Sequence, residues 1–159
     1  MFLYRAKCPA KVNLSLSILG EDKQTGFHFI DTVISKIDLY DELELSVSKR
    51  AGFTVKIEWE GKFAECEPID PTENTLVKAY NALNEATAYR LPGMTARLVK
   101  RIPAGTGLGG ASSDAGGFIK LIHFLATRTE ALPNEAAERI SRMSKDELGK
   151  VGFGVGADV

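Results

Sequence analysis

The stretch KRIPAGTGLGGASSDAGG, from Lys100 to Gly117, decides how this chain is read. Glycines at 105, 107, 109, 110 and 116 crowd a segment that leaves an alternating strand and enters a helix. Glycine tolerates positive φ and carries no Cβ, so such a loop can fold tightly around a ligand with its backbone N–H groups bared. The helix that follows is expected to start near Ala111–Ser113, where free N–H groups and the helix dipole favour an anion. Ser112 and Ser113 add hydroxyls suited to capping that helix, holding a phosphate oxygen or ligating a metal. The stretch reads as a phosphate cradle.

Three rival readings compete with it. A plain glycine-rich turn is the blandest. A P-loop needs a Lys-Ser or Lys-Thr pair closing a G-x-x-x-x-G, and none is present. Gly105, Gly107 and Gly110 do satisfy the dinucleotide pattern G-x-G-x-x-G, with Glu130 at a suggestive distance. That acid should end a second parallel strand, whereas the residues between are helix-like and no strand follows them.

Working outward, Met94–Ile102 alternates as a strand and delivers the chain to Pro103 and the glycines. Beyond the loop, Phe118, Leu121, Ile122 and Leu125 form the buried stripe of a helix, with His123 on its polar side. Two further helices fit Asn134–Met143 and Ser144–Val151, the second opened by the capping box Ser144-x-x-Glu147. Upstream, Asn74 is placed to cap a helix striped by Leu76, Val77, Tyr80 and Leu83. Pro68 and Pro71 keep residues 61–73 a loop.

The first strand, residues 6–19, alternates Val12, Leu14, Leu16 and Ile18 with Lys11, Asn13, Ser15 and Ser17 and reads as half-buried. Lys11 and Asn13, two apart, share a face. A polar turn at 20–28 ends in Gly26-Phe27-His28, and an apolar strand covers 28–39. Glu42–Ser48 and Phe53–Trp59 read as a hairpin across Lys49–Gly52 with one face wet. The fold class is therefore α+β, a mostly antiparallel sheet packed by helices.

The 159 residues have ample length for a core, and 20 basic side chains nearly balance 21 acidic ones. That balance gives no reason to expect nucleic acid or an anionic membrane as partner. No apolar run is long enough to span a bilayer, and MFLYRAKCPAK turns charged too early for a signal peptide. Cys8 and Cys66 form no metal-like spacing, so a cytoplasmic location with free thiols is expected.

P-x-G-x-G-L-G-G-x-S-S-D-A, from Pro103 to Ala115, resembles the second motif of the GHMP kinases, the family that includes galactose, homoserine, mevalonate and phosphomevalonate kinases. Within it, Ala10–Leu16 (AKVNLSL), Gly26-Phe27-His28 and the closing Gly156-Ala157-Asp158-Val159 resemble the A-K-(I/V)-N-L, G-Y-H and G-A-D-V-P motifs of the 4-diphosphocytidyl-2-C-methyl-D-erythritol kinases. The resemblance implies an N-terminal ATP-binding domain over residues 1–159 with a left-handed βαβ crossover. It also implies that a second, C-terminal domain, expected to complete the site, is absent from this chain. The implied reaction is ATP-dependent phosphorylation of the 2-hydroxyl of a cytidine diphosphate-linked polyol in the non-mevalonate isoprenoid route, with Mg²⁺.

The resemblance also assigns roles. Asp158 would be the general base and Lys11 would stand beside it. Asn13 would bind substrate, His28 would hydrogen-bond the cytosine, and Phe27, which replaces the family's tyrosine, would offer it a ring. Asn74 and Lys100 would lie along the adenine. Pro103, Gly105, Gly107, Leu108, Gly109, Gly110, Ala111, Ser112 and Ser113 would hold the triphosphate. Two other readings stay open: another GHMP kinase of homoserine or mevalonate type, and a truncated nucleotide-binding fragment without catalysis. The Mg²⁺ ligands are left unassigned.

Overall fold

The computed structural model of the chain describes residues 3–48, 52–61 and 74–156. In chain order the elements are β1 (Leu3–Glu21), β2 (His28–Ser48), β3 (Phe53–Trp59), α1 (Thr75–Thr87), β4 (Gly93–Lys100), α2 (Gly110–Arg128), α3 (Asn134–Ser141) and α4 (Lys145–Val155). The strands form one sheet in the order β1-β2-β4-β3. β1 and β2, and β2 and β4, pair antiparallel, while β3 runs parallel to β4 with α1 in the connection between them. The α+β class with a mixed sheet agrees with the sequence reading. Cys66, Pro68 and Pro71 fall outside the described residues.

Two strand assignments differ from expectation. Residues 28–39 and 42–48 are one continuous strand, β2. Glu42–Ser48 and Phe53–Trp59 are not a hairpin, because β4 lies between them and pairs with both. Alternation tells which face of a strand is wet but not which strand is its neighbour. Burial explains the placement: β4 is buried along most of its length, whereas β3 alternates half-buried with exposed, as suits an edge.

The core side of the sheet carries Cys8, Leu43, Leu45, Met94, Ala96 and Leu98, packed against Leu76, Ala79 and Leu83 of α1 and Phe118, Ile122 and Leu125 of α2. Phe53 joins three elements, stacking on Tyr80 at 4.8 Å between ring centres and tilting against Phe118 at 5.2 Å. Such aromatic pairs add roughly 0.5–1.5 kcal/mol each beyond the area they bury. On the opposite side Arg97 bridges Glu44 and Glu58, and Arg5 reaches Glu44. The result is polar outside and apolar inside, the pattern of a sheet covered by helices on one face.

β1 departs from its expected burial. Leu14 and Ile18 are both 68% exposed, and Leu16, Leu19, Ile30, Val33 and Ile34 are also exposed. Here β1 and β2 run on together as a two-stranded ribbon past the helices, which leaves these side chains uncovered.

α2 lies close over β1 at Gly117, where an added Cβ would stand 2.5 Å from the Cys8 Sγ. Burial, followed by the charges of Asp114 and Asp41, pushes the Cys8 thiol up, so it stays protonated at neutral pH. Cys8 is short and fully buried, so its sulfur has little room to yield. Gly117→Ala is expected to destabilise the fold by about 1–3 kcal/mol, the usual range for overpacking a core. Urea unfolding checks this, and Cys8→Ala in the same chain should restore part of the loss. An unchanged midpoint in Gly117→Ala would mean that α2 is not held this closely to β1.

Candidate active site around the glycine loop

β4 ends at Lys100, and the chain turns through Pro103 into the glycines. Gly105, Gly107 and Gly109 all have φ between 70° and 73°. That left-handed backbone is open to glycine and strained for other residues. α2 begins at Gly110, one residue earlier than expected, with Gly109 as N-cap and no side-chain cap. Ser112 and Ser113 therefore sit in the first turn and do not cap the helix. The N–H groups of Gly110, Ala111 and Ser112 have no carbonyl a turn earlier to bond, which leaves them directed out of the helix start.

Two elements close on this loop. β1 reaches it through the Lys11 N–H, which donates to the Leu108 carbonyl at 2.9 Å. The Lys11 side chain lies over Gly109, with its Cγ and Cε 3.2 Å from where a Cβ would stand. α1 arrives end-on: the Thr75 hydroxyl donates to the Ala111 carbonyl at 3.0 Å. Two helix N-termini and one lysine thus converge on the same backbone, an arrangement that favours negative charge.

Lys11 and Asn13 share a face as expected, and the Lys11 ammonium donates to Asn13 Oδ1 at 2.7 Å. Asn13 donates in turn to the Thr32 hydroxyl, which donates to the Ser15 carbonyl. The alignment survives register shifts between Pro9 and Lys11 and between Asn13 and Ser15. Asn74 is buried and serves as the N-cap of α1, accepting from the Leu76 N–H at 2.9 Å.

Lys100, which the resemblance set along a nucleotide, has its side chain inside the protein. It is 4% exposed, and its ammonium is turned inward, beneath Gly110, onto Asp41 and Asp114. The Lys100–Asp114 contact is 2.6 Å. Burial works against the lysine's charge, but Asp114 and Asp41 outweigh it and raise its pKa above the ordinary value. Burial pushes the Asp114 carboxyl up to about 7, although Lys100 pulls the other way. Its Oδ1 is buried without a hydrogen-bond partner among the described residues.

Asp41 and Asp114 were missed in the sequence reading. The available signal was parity: Asp41 falls in step with the buried Leu43 and Leu45, and Lys100 in step with Met94, Ala96 and Leu98. Opposite charges at the inward positions of neighbouring strands point to a buried pair.

Phe27 and His28 sit at the far end of the ribbon, with His28 opposite Glu21. The turn before them is held by Asp22, whose carboxylate accepts from the Gln24 N–H and the Thr25 hydroxyl. The Phe27 ring meets Phe153 of α4 edge-on at 6.5 Å, and both rings are exposed. Among the described residues, neither Phe27 nor His28 bonds to Lys11 or the glycine loop. Asp158 lies outside the described residues.

A mixed sheet, a glycine loop running into a bare helix start and a strand lysine laid over that loop define an α+β domain built to face an anion. The sequence profile of the GHMP kinases N terminal domain matches residues 74–159. The chain belongs to the GHMP kinase family.

The chain is 34% identical over 151 residues to the 4-diphosphocytidyl-2-C-methyl-D-erythritol kinase of Ruthia magnifica subsp. Calyptogena magnifica, covering 95% of this chain and 45% of that protein. Against the enzyme of the same name from Desulfotalea psychrophila the figures are 35% over 153 residues, 96% and 45%. The chain thus spans about half the length of the relatives it matches. A crystal structure of a 4-(cytidine 5'-diphospho)-2C-methyl-D-erythritol kinase superposes with a TM-score of 0.62 at 27% identity, covering 98% of this chain and 47% of that one. Homoserine kinase from Cytophaga hutchinsonii shares the fold, with a TM-score of 0.62 at 17% identity, 96% of this chain and 40% of that one being covered.

Proposed function

We propose that the chain is the nucleotide-binding half of a small-molecule kinase that transfers the γ-phosphate of ATP to an alcohol. The acceptor is the 2-hydroxyl of 4-diphosphocytidyl-2-C-methyl-D-erythritol, a step toward isoprenoid precursors. The observation that carries this is the set of free N–H groups at the start of α2, flanked by positive-φ glycines and covered by Lys11. Phosphoryl transfer calls mainly for positioning and charge neutralisation, which such a cradle supplies.

In this reading residues 103–113 hold the triphosphate, and Asn13 with Lys11 holds the acceptor. Phe27 and His28 receive the cytosine, and Asp158 takes the hydroxyl proton. Asn74 and Lys100 serve the nucleotide from behind, one as helix cap and the other through its ion pairs. The identity of 34–35% to two 4-diphosphocytidyl-2-C-methyl-D-erythritol kinases, and of 27% to a solved kinase of that kind, supports this acceptor.

Mg²⁺ would neutralise phosphate charge when it arrives with ATP. Among the described residues no group of three or more His, Cys, Asp or Glu is placed to hold a metal. Ser112 and Ser113, in the first turn of α2, are the side chains at the loop that would help hold such an ion. No described helix is long and apolar enough to cross a membrane, and we place the enzyme in the cytoplasm, with no nucleic acid or membrane partner. The exposed leucines and isoleucines of the ribbon support a further, C-terminal domain that covers them and completes the site.

The test is Gly109→Val. At φ 72° a β-branched residue is strained, and its Cβ meets Lys11 at 3.2 Å. Left-handed backbone costs about 1–2 kcal/mol. Calorimetric titration with Mg·ATP should show affinity at least about tenfold weaker than wild type, since each 1.4 kcal/mol is a factor of ten. Equal affinities would retire the cradle.

A further inference from the structure

β4 stops at Lys100, and the last antiparallel pair it makes with β2 is Val99 with Glu42. The next residue on β2 is Asp41, which is fully buried. Where the ladder ends, its side chain takes over: Asp41 Oδ1 accepts from the N–H groups of Arg101 at 2.6 Å and Ile102 at 2.9 Å. Its Oδ2 accepts from the Lys100 ammonium, which also donates to Asp114 on α2. One carboxylate thereby satisfies two main-chain donors that would otherwise be stranded and holds one end of a charged link to the helix beyond the loop.

The consequence reaches the cradle through Ile102. A Cβ added at Gly110 would lie 2.9 Å from Ile102 Cγ2 and 3.4 Å from the Lys100 Nζ. The first residue of α2 therefore rests directly on the two side chains whose placement Asp41 fixes. Both ends of the glycine loop, Arg101–Ile102 and Gly110–Asp114, are tied to the same point on β2.

We propose that Asp41 is a positioning residue for the phosphate loop, acting through Ile102 and Lys100 and touching no substrate itself. This rests on the reading of the loop as a nucleotide site. The three charged groups are all buried, with Asp41 at 0%, Asp114 at 2% and Lys100 at 4% exposure. A purely structural ion pair has no need of two further main-chain donors at the loop's first turn.

Asp41→Ala removes both main-chain bonds and half of the link, while Asp41→Asn keeps an acceptor for the N–H groups. Leaving buried donors unsatisfied is costly, so Asp41→Ala is expected to weaken Mg·ATP binding about tenfold and Asp41→Asn to recover most of that loss. In steady-state assays of the chain joined to the C-terminal half of a relative, the KM for ATP should rise while the KM for the alcohol substrate holds. Amide spectra without ligand should show the Gly107, Gly109 and Gly110 signals displaced in Asp41→Ala. If Asp41→Ala does not fold, Asp41→Ser, whose single short hydroxyl cannot replace both main-chain bonds and the Lys100 contact, decides: loop amides coincident with wild type, together with wild-type ATP affinity, would overturn the proposal. Binding of Mg·ATP equally by wild type and folded Asp41→Ala would overturn it while leaving the nucleotide reading intact. Failure of the wild type to bind Mg·ATP would overturn that reading and this proposal's ligand with it.

Discussion

In the chain joined to the C-terminal half of a relative, Lys11→Met is expected to lower turnover by about two to three orders of magnitude, the range seen when one pre-organised donor is lost at a developing charge. Methionine preserves the apolar stem that lies 3.2 Å from the Gly109 position, so the loop keeps its cover and only the ammonium goes. ATP affinity should change far less than kcat. Asp158→Asn, which cannot accept the substrate proton, is expected to cost about two to four orders of magnitude. If the lysine serves to hold the base ionised and the acceptor aligned, the two act as one unit. The double variant should then lose about as much as the worse single variant rather than the product of both. Single-turnover rates on the cytidine substrate measure all three. Losses that multiply would separate Lys11 from the base, and a Lys11→Met enzyme with near-normal kcat would make its place over the loop structural only.

The sequence disclosed what depends on local chemistry. Glycines that must take positive φ, the capping box at Ser144 and Glu147, the Asn74 cap and the common face of Lys11 and Asn13 are each fixed by a few neighbouring residues. What it hid depends on partners distant in the chain. The alternation of β3 is the same whether it pairs with β2 or β4, so the exchange of a hairpin for a parallel edge pair was invisible. The inward turn of Lys100 needed Asp41, 59 positions away, before the loop could be seen to rest on a buried ion pair. Strand parity carried that information in muted form, since a lysine in step with Met94, Ala96 and Leu98 must be either paired or misplaced. The ribbon was misread for the converse reason: an apolar face predicts that something covers it, not that the cover belongs to the same 159 residues.

A polypeptide limited to those 159 residues is expected to bind Mg·ATP weakly and to transfer no phosphate at a useful rate. The cradle is local, made of a strand end, a turn and the start of α2, all anchored in the core through Lys100 and Ile102. The acceptor side is not. Leu14 and Ile18, each 68% exposed, lie on the ribbon that leads from Lys11 and Asn13 to Phe27. Among the described residues, Phe27's one ring contact is the edge of Phe153. A two-stranded ribbon without a covered face is only marginally stable in water, and a misplacement of about 1 Å can cost a hundredfold in a reaction that rests on positioning. Joining the chain to the C-terminal half of one of the relatives it matches should bury the ribbon and restore transfer. Labelled ATP and the cytidine substrate read the outcome, with amide exchange at Leu14–Ile18 reporting whether the ribbon has become protected. Equal turnover with and without the added half would show that the acceptor site is complete within residues 1–159 and that the apolar ribbon has some other purpose.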